Sequence, residues 1–427
     1  MMIVSVITFL ICLVIGIPVA LALGLSSLSF LLLSKGIPLG IIAQRMFTGI
    51  DIFPFMAIPF FILAGELMNR AKITEKLVIF SDLCIGHFKG GLAHVNIVTS
   101  MFFAGITGSA VADTSAIGSM LIPAMKKKGY DADFSAAVTA ASSVVGPIIP
   151  PSIPMVIYSL ITGASVGALF LAGFFPGILL GLSLMVVTYI IAHKRNYKSS
   201  GKRAALSLIL AALLKAIIPL LMPMIILVGI LGGIFTATEA SAVAVVYALL
   251  IGFFVYRNMK LKDLGPIFIA TAKTTGVVFL VIATANIFNW LMAIENIPTK
   301  MALFFTTNIS SKIVLLLVIN VLLLFIGTFM DATAAMVITV PILIKITAPF
   351  GIHPVMLGAI VVLNLMIGLL TPPVGLCLFI AGNISGISLE RTAKAVLPYL
   401  LVEIIVLMLV TYIEPISLFL PRFFGYI

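Results

Sequence analysis

The stretch GPIIPPSIP, residues 146–154, lies inside a segment, Phe134 to His193, that contains no Lys, Arg, Asp or Glu. Four prolines fall within it: Pro147, Pro150, Pro151 and Pro154. Proline removes a backbone donor and obstructs the turn before it. In hydrocarbon, each carbonyl freed in this way must find another partner. A helix broken where breaking costs most implies that the exposed backbone has a use.

The setting is a membrane. The 427-residue chain is 62% hydrophobic and 9% charged, with a mean hydropathy of +1.31. A span needs about 20 apolar residues, and charge-free runs recur at 1–34, 216–238 and 346–389. The fold class is an all-α polytopic membrane protein. The first run is long and lacks a basic leading region, which argues against a cleavable leader. No polar block is long enough for a separate soluble domain.

The net charge of +11 raises nucleic-acid binding, but the basic residues sit at the ends of apolar runs. Lys194, Arg195, Lys198, Lys202 and Arg203 form one cluster, and Arg257, Lys260 and Lys262 another. That is the positive-inside distribution, and no nucleic-acid partner is expected. Cys12, Cys84 and Cys377 are scattered, without the spacing of a disulfide framework or a metal site.

The break occurs twice. Shifted by 222 residues, 103–151 aligns with 325–373 without a gap, and 11 of 49 positions are identical. The matches include Gly105/Gly327, Gly129/Gly351, Gly146/Gly368, Pro150/Pro372 and Pro151/Pro373. GPIIPP thus reappears as GLLTPP, each followed by a glycine-flanked polar tip, 163–167 and 382–386. LMNRAKITEK (67–76) likewise pairs with LMAIENIPTK (291–300). The chain reads as a duplication. The first repeat is 1–195, with a re-entrant hairpin about 94–126 and a broken helix about 133–163. A basic cytoplasmic linker covers 196–204. The second repeat is 205–427, with a hairpin about 313–348 and a broken helix about 353–385.

With the basic clusters placed in the cytoplasm, the helix at 53–69 runs inward and its partner at 277–293 runs outward. The repeats are therefore expected to be inverted. Inverted repeats with paired broken helices point to a secondary transporter with its site at the breaks. The fold class becomes an inverted-repeat ion-transporter fold with two re-entrant hairpins and two broken helices.

A hairpin tip facing a helix break offers carbonyls and hydroxyls suited to a hard cation such as sodium. The sodium-binding candidates are Gly105, Ser109, Gly146 and Pro150 in one half. In the other they are Gly327, Thr328, Asp331, Gly368, Thr371 and Pro372. Substrate or coupling candidates are Asp113, Thr114, Ser115, Ser152 and Thr333. Close helix packing is the competing reading for each small residue. Intramembrane carboxylates default to function, which singles out Asp113 and Asp331. They are not repeat equivalents: Asp331 aligns with Ser109 and Asp113 with Ala335. The offset of four residues, about one turn, would allow both on one hairpin shoulder. Either could instead cap the returning helix. Glu239 is read as a cap, and Glu66, Asp51 and Glu295 are given no role.

The hairpin GITGSAVADTSAIGSMLIPAM (105–125), GPIIPPSIP, GTFMDATAAM (327–336) and LLTPPVG (369–375) resemble the large membrane subunit of tripartite ATP-independent periplasmic (TRAP) transporters. The likeness covers essentially the whole chain. It implies a sodium-driven importer of a carboxylate solute in the bacterial inner membrane, of elevator type, with no cofactor beyond the coupling ion. It also implies two protein partners, a small four-helix membrane subunit and a periplasmic solute-binding protein. The chain begins with the large subunit's first apolar run, so fusion to the small subunit is not expected. Within the family, sialic acid and C4-dicarboxylate importers are the most similar, with a lean to sialic acid. A non-tripartite sodium–carboxylate symporter of similar architecture is the alternative. An intramembrane aspartyl protease built on Asp113 and Asp331 would need facing spans, and two separate breaks disfavour a continuous channel. No enzymatic activity is expected.

Overall fold

The structure, a computed structural model, describes residues 1–34, 36–197, 199 and 203–427, and for 104–107 the helix but not the side chains. Much of the expected linker at 196–204, and the surroundings of Gly105, lie outside the described residues. Among the described residues the fold is entirely helical. Seven helices are long and apolar enough to cross a membrane, or eight if one bent pair counts as a single span.

Helices α1 (Met2–Val14) and α2 (Val19–Leu33) split the first apolar run at Gly16, φ +86°, and Pro18. Neither is long enough to span alone. Their serines hold them together: Ser5 Oγ donates to the Ser26 carbonyl at 2.7 Å, and Ser26 Oγ donates to the Ser5 carbonyl at 2.6 Å. The segment containing 53–69 is a bent pair, α3 (Ile41–Ile50) and α4 (Ala57–Arg70), joined through a short 3-10 turn and angled by 66°.

From here a seven-helix series runs through the chain. It comprises α5 (Ile73–Ile85), α6 (Gly91–Thr107), α7 (Ala110–Lys127), α8 (Ala132–Val145), α9 (Ile153–Thr162) and α10 (Val166–Lys194) after α4. Next come α11 (Leu206–Leu231), α12 (Ala237–Leu250, continued by a π turn) and α13 (Leu261–Ile294). Then α14 (Ile297–Asn308), α15 (Lys312–Phe329), α16 (Ala332–Thr347), α17 (Pro354–Gly368), α18 (Leu376–Ser385) and α19 (Leu389–Tyr412) restate the series that followed α4. A short α20 (Glu414–Phe423) closes the chain. Even the punctuation repeats. Left-handed residues at Lys72 and Asn296 start α5 and α14, Gly129 and Gly351 precede α8 and α17, and Gly163 and Gly386 end α9 and α18. The Pro150–Pro151 and Pro372–Pro373 bonds are both cis.

The α6–α7 and α15–α16 pairs are helical hairpins. Their arms run 16 to 18 residues, and α7 and α15, with 18 each, reach about 27 Å at 1.5 Å per residue. Prolines at 123 and 341 lie within the returning helices and do not end them.

The core is built on the first halves of the broken helices. Every residue from Phe134 to Val145 in α8 and from Val355 to Gly368 in α17 is buried. In keeping with that burial, neither stretch carries a charged side chain. Around them the two halves of the chain exchange elements. α18 packs on α7 and α8, while α9 packs on α16 and α17. Tyr158 on α9 donates to the Pro354 carbonyl at the start of α17, at 2.7 Å. α4 lies against α12 and α13, and α2 against α13.

Candidate functional site

The hairpin tips form from cap chemistry. At the first, Gly108 is left-handed (φ +57°), and a Cβ there would meet the Ile153 amide nitrogen at 3.0 Å. The tip therefore sits directly on the start of α9. Ser109 follows as the N-cap of α7, accepting from Ala112 N–H. At the second tip Asp331 caps α16, accepting from Thr333 N–H at 2.9 Å. Ser109 and Asp331, repeat equivalents, do the same job with a hydroxyl in one half and a carboxylate in the other.

The breaks follow from donor loss. Pro150 and Pro151 carry no N–H, so the carbonyls of Gly146 and Pro147 have no partner four residues on. Pro372 and Pro373 do the same to Gly368 and Leu369. Most of these carbonyls are recaptured. Ser152, the N-cap of α9, donates to the Pro147 carbonyl. Thr371 N–H reaches the Gly368 carbonyl at 3.0 Å, and Cys377 N–H the Leu369 carbonyl at 3.1 Å. Among the described residues, the Gly146 carbonyl alone of the four has no donor. A carbonyl with one hydrogen bond keeps a lone pair free for a cation.

The candidates divide into groups. Ser109, Ser115, Asp331 and Thr333 line a cavity of about 550 Å³. Gly327 and Gly368 touch backbone to backbone beside it. The hydroxyls of Thr114, Thr328 and Thr371 donate to carbonyls of their own helices, at 2.7–2.8 Å, leaving their acceptor capacity free. Gly146, Pro150, Ser152 and Pro372 belong to the breaks themselves. Asp113 is elsewhere: it does not share the shoulder of Asp331 but turns inward behind the first hairpin, completely buried. The reason is its place one turn into α7, on the side that faces α6 and α8. Ser100 and Ser143 stand beside its carboxyl, yet their hydroxyls donate to Ser142 Oγ and to the Thr139 carbonyl. Among the described residues, neither Asp113 oxygen has a hydrogen-bond partner.

The cavity is built from equivalents of the two halves: Ser109 with Asp331, Ala110 with Ala332, Pro147 with Leu369, Ile153 with Leu376. The N-terminal ends of α7, α9, α16 and α18 all reach its wall. Helix N-termini carry partial positive charge and free N–H groups, the natural setting for an anion. Opposite them α4 contributes Ile62, Glu66 and Asn69, and α13 contributes Thr274, Val277 and Val278. Among the described residues the lining includes two carboxylates, Glu66 and Asp331, and no Lys, Arg or His. Glu66, which the sequence reading gave no role, is therefore part of the cavity.

Sequence reasoning also missed a buried polar seam that holds each hairpin to its broken helix. Asn96 on α6 donates to Thr139 at 2.6 Å and accepts from Ser142 at 3.1 Å on α8. In the second half, Asn364 on α17 donates to Asn320 Oδ1 on α15 at 2.9 Å, and Asn320 donates to Thr411 on α19 at 3.0 Å. Ser142 and Asn364 are repeat equivalents, so the seam recurs with different residues. Glu239, read as a cap, forms a full capping box with Thr236. At the other end of the molecule, Arg195 ties the end of α10 to Asp131 and Asp133, at 2.8 and 3.0 Å. Burial, together with the bond to Asp131, pushes the Tyr197 hydroxyl up to about 12.

Residues 6–416 match the family described as tripartite ATP-independent periplasmic transporter, DctM component. The chain is 42% identical over 412 residues to the sialic acid TRAP transporter large permease protein SiaM of Vibrio cholerae, covering 96% of each. It is 43% identical over 411 residues to the isethionate TRAP transporter permease protein DctMQ of Oleidesulfovibrio alaskensis, covering 96% of this chain and 65% of that longer one. With the C4-dicarboxylate TRAP transporter large permease protein DctM of Rhodobacter capsulatus it shares 36% identity over 423 residues, covering 96% of each. In fold alone it resembles the YdaH transporter of Alcanivorax borkumensis, with a TM-score of 0.59 at 14% identity over 99% of this chain and 98% of that one. MtrF of Neisseria gonorrhoeae gives 0.56 at 13% identity, over 95% and 94%. These relatives are transporters and not enzymes. The chain belongs to the DctM component family of tripartite ATP-independent periplasmic transporters, as its large permease.

Proposed function

We propose that this permease imports an organic anion of the carboxylate class across the bacterial inner membrane together with sodium ions. Its halves, 1–195 and 205–427, lie inverted in the bilayer. The hairpins and broken helices move as one body past α4, α12 and α13, in the manner of an elevator. The solute arrives from a periplasmic binding protein, and a small four-helix membrane subunit completes the complex. Relatives named for sialic acid and C4-dicarboxylate transport support the carboxylate class, and the relative named for isethionate, a sulfonate, supports an organic monoanion more broadly.

The observation that carries this reading is the charge of the cavity. Four helix N-termini face an anion, but two carboxylates share the space and no basic side chain offsets them. An anionic solute entering alone would meet like charge in a partly desolvated site. Entering with cations, it would not. Asp113 supports the same conclusion, because its carboxylate is buried with no hydrogen-bond partner among the described residues, and a buried carboxylate stays ionised only beside a counter-charge. Ser109 and its equivalent supply oxygen ligands at the tips, and Gly146 at the break facing them.

The test is uptake of sialic acid, succinate and isethionate into proteoliposomes, with and without a sodium gradient, the small subunit and the binding protein. Uptake that persists without sodium would sink the coupling. Sodium-dependent uptake that needs no binding protein would favour the non-tripartite symporter.

A further inference from the structure

Resting on the carboxylate reading above, we propose that Glu66 selects the solute. In this proposal the site takes a monoanion whose far end carries hydrogen-bond donors, and it rejects a second carboxylate.

The cavity has two unlike walls. One consists of the hairpin tips and half-helix starts, which favour a negative group. The other comes from α4 and α13, and its polar residues are Glu66, Asn69 and Thr274. Glu66 is half-buried, and among the described residues no ion pair or hydrogen bond engages it. Arg70, one turn further along α4, is engaged by Asp263 at 2.6 Å, and an unpaired carboxylate on a membrane helix is a functional group by default. An ionised carboxylate only accepts hydrogen bonds, so what it recognises must donate.

The geometry then fixes polarity along the solute. Its acidic group lies at the helix N-termini, and its opposite end faces Glu66. Hydroxyl, amide or ammonium groups there find an acceptor, with Asn69 and Thr274 able to bond either way. A second carboxylate there would face Glu66 at close range. Like charges about 4 Å apart near a protein surface discriminate by about tenfold or more. The repeat does not supply this residue: aligned with the match of 67–76 to 291–300, Glu66 falls opposite Trp290. The selecting wall is asymmetric, whereas the anion-holding wall is built in pairs.

The test uses matched probes that differ in the second carboxylate: D-gluconate against D-glucarate, and 4-hydroxybutyrate against succinate. Thermal stabilisation of the purified full chain is measured with each, in sodium. The wild type should respond to the monocarboxylate of a pair at concentrations at least about tenfold lower. Glu66→Gln should narrow that gap by improving the response to the dicarboxylate, with a sodium response still present. Glu66→Asp should keep the gap, which separates loss of charge from loss of fold. Equal responses within pairs in the wild type, or a gap that survives in Glu66→Gln, overturns the proposal. So does loss of the sodium response in Glu66→Gln, which would make Glu66 a cation ligand. If sodium stabilises the wild type and no probe does, the carboxylate reading itself fails, and this proposal with it.

Discussion

Gly327 and Gly368 are in direct backbone contact. A Cβ placed on Gly368 would stand 2.6 Å from the Gly327 Cα, and one on Gly327 would stand 3.0 Å from the Gly368 Cα. The second hairpin thus presses main chain against the end of α17, with no side chain between. Neither partner can rotate aside, since both contacts are backbone. Gly327→Ala and Gly368→Ala should each cost about 1–3 kcal/mol from overpacking and suppress uptake. Gly276→Ala, on α13 with open space around it, should be neutral or slightly stabilising. Melting temperatures of the three variants give the answer; equal shifts in all would mean the contact is not tight.

The two hairpin carboxylates should part company. Asp331 caps α16, so Asp331→Ala should cost about 1 kcal/mol and Asp331→Asn much less, because Asn caps nearly as well. Asp113 caps nothing and is buried without partners. Asp113→Asn should therefore raise stability without sodium, because the amide keeps the shape of the carboxylate but carries no charge to be desolvated. The same variant should lose the stabilisation that sodium gives the wild type. Sodium titrations monitored by thermal unfolding check both, and an Asp113→Asn variant that still responds to sodium would exclude this carboxyl as a ligand.

The seam residues Asn320 and Asn364 offer a measurable coupling. A double-mutant cycle with alanine at both positions should return about 0.6 kcal/mol, and at most about 1.7, the range seen for hydrogen bonds between membrane helices. Additive effects would show that the pair merely fills space.

Glu403 on α19 is fully buried, and among the described residues both its carboxyl oxygens lack partners. Replacing an orphaned polar group by an apolar one of similar shape is neutral or stabilising. Glu403→Met should hold or raise the melting temperature. A drop of several degrees would reveal a partner for this carboxyl.

Much of this was legible because it is written locally. A Pro-Pro pair deletes two donors wherever it stands, so the breaks at 150–151 and 372–373 are readable before any fold is known. The Thr236–Glu239 box sits within four consecutive residues and is equally plain. Glu66 is different. Its helix reads as a span end with an interfacial charge, and only the approach of the hairpin tips turns that position into a cavity wall. The inward turn of Asp113 likewise depends on which face of α7 meets α6 and α8. The seam asparagines were hidden because each half uses different residues at the same place, so identity matching passes over them.

The exchange of α9 and α18 between the two halves has a consequence for biosynthesis. As the ribosome delivers the chain, α9 enters the bilayer with its destined partners, α16 and α17, not yet made. For the whole interval of synthesis from residue 162 to residue 368, its mating surface must be tolerated by lipid or held by the insertion machinery. A fragment ending in the basic linker would stay in that unfinished condition, with α8 lacking the cover of α18. Two separately expressed fragments could still find each other, each bringing the helix the other lacks.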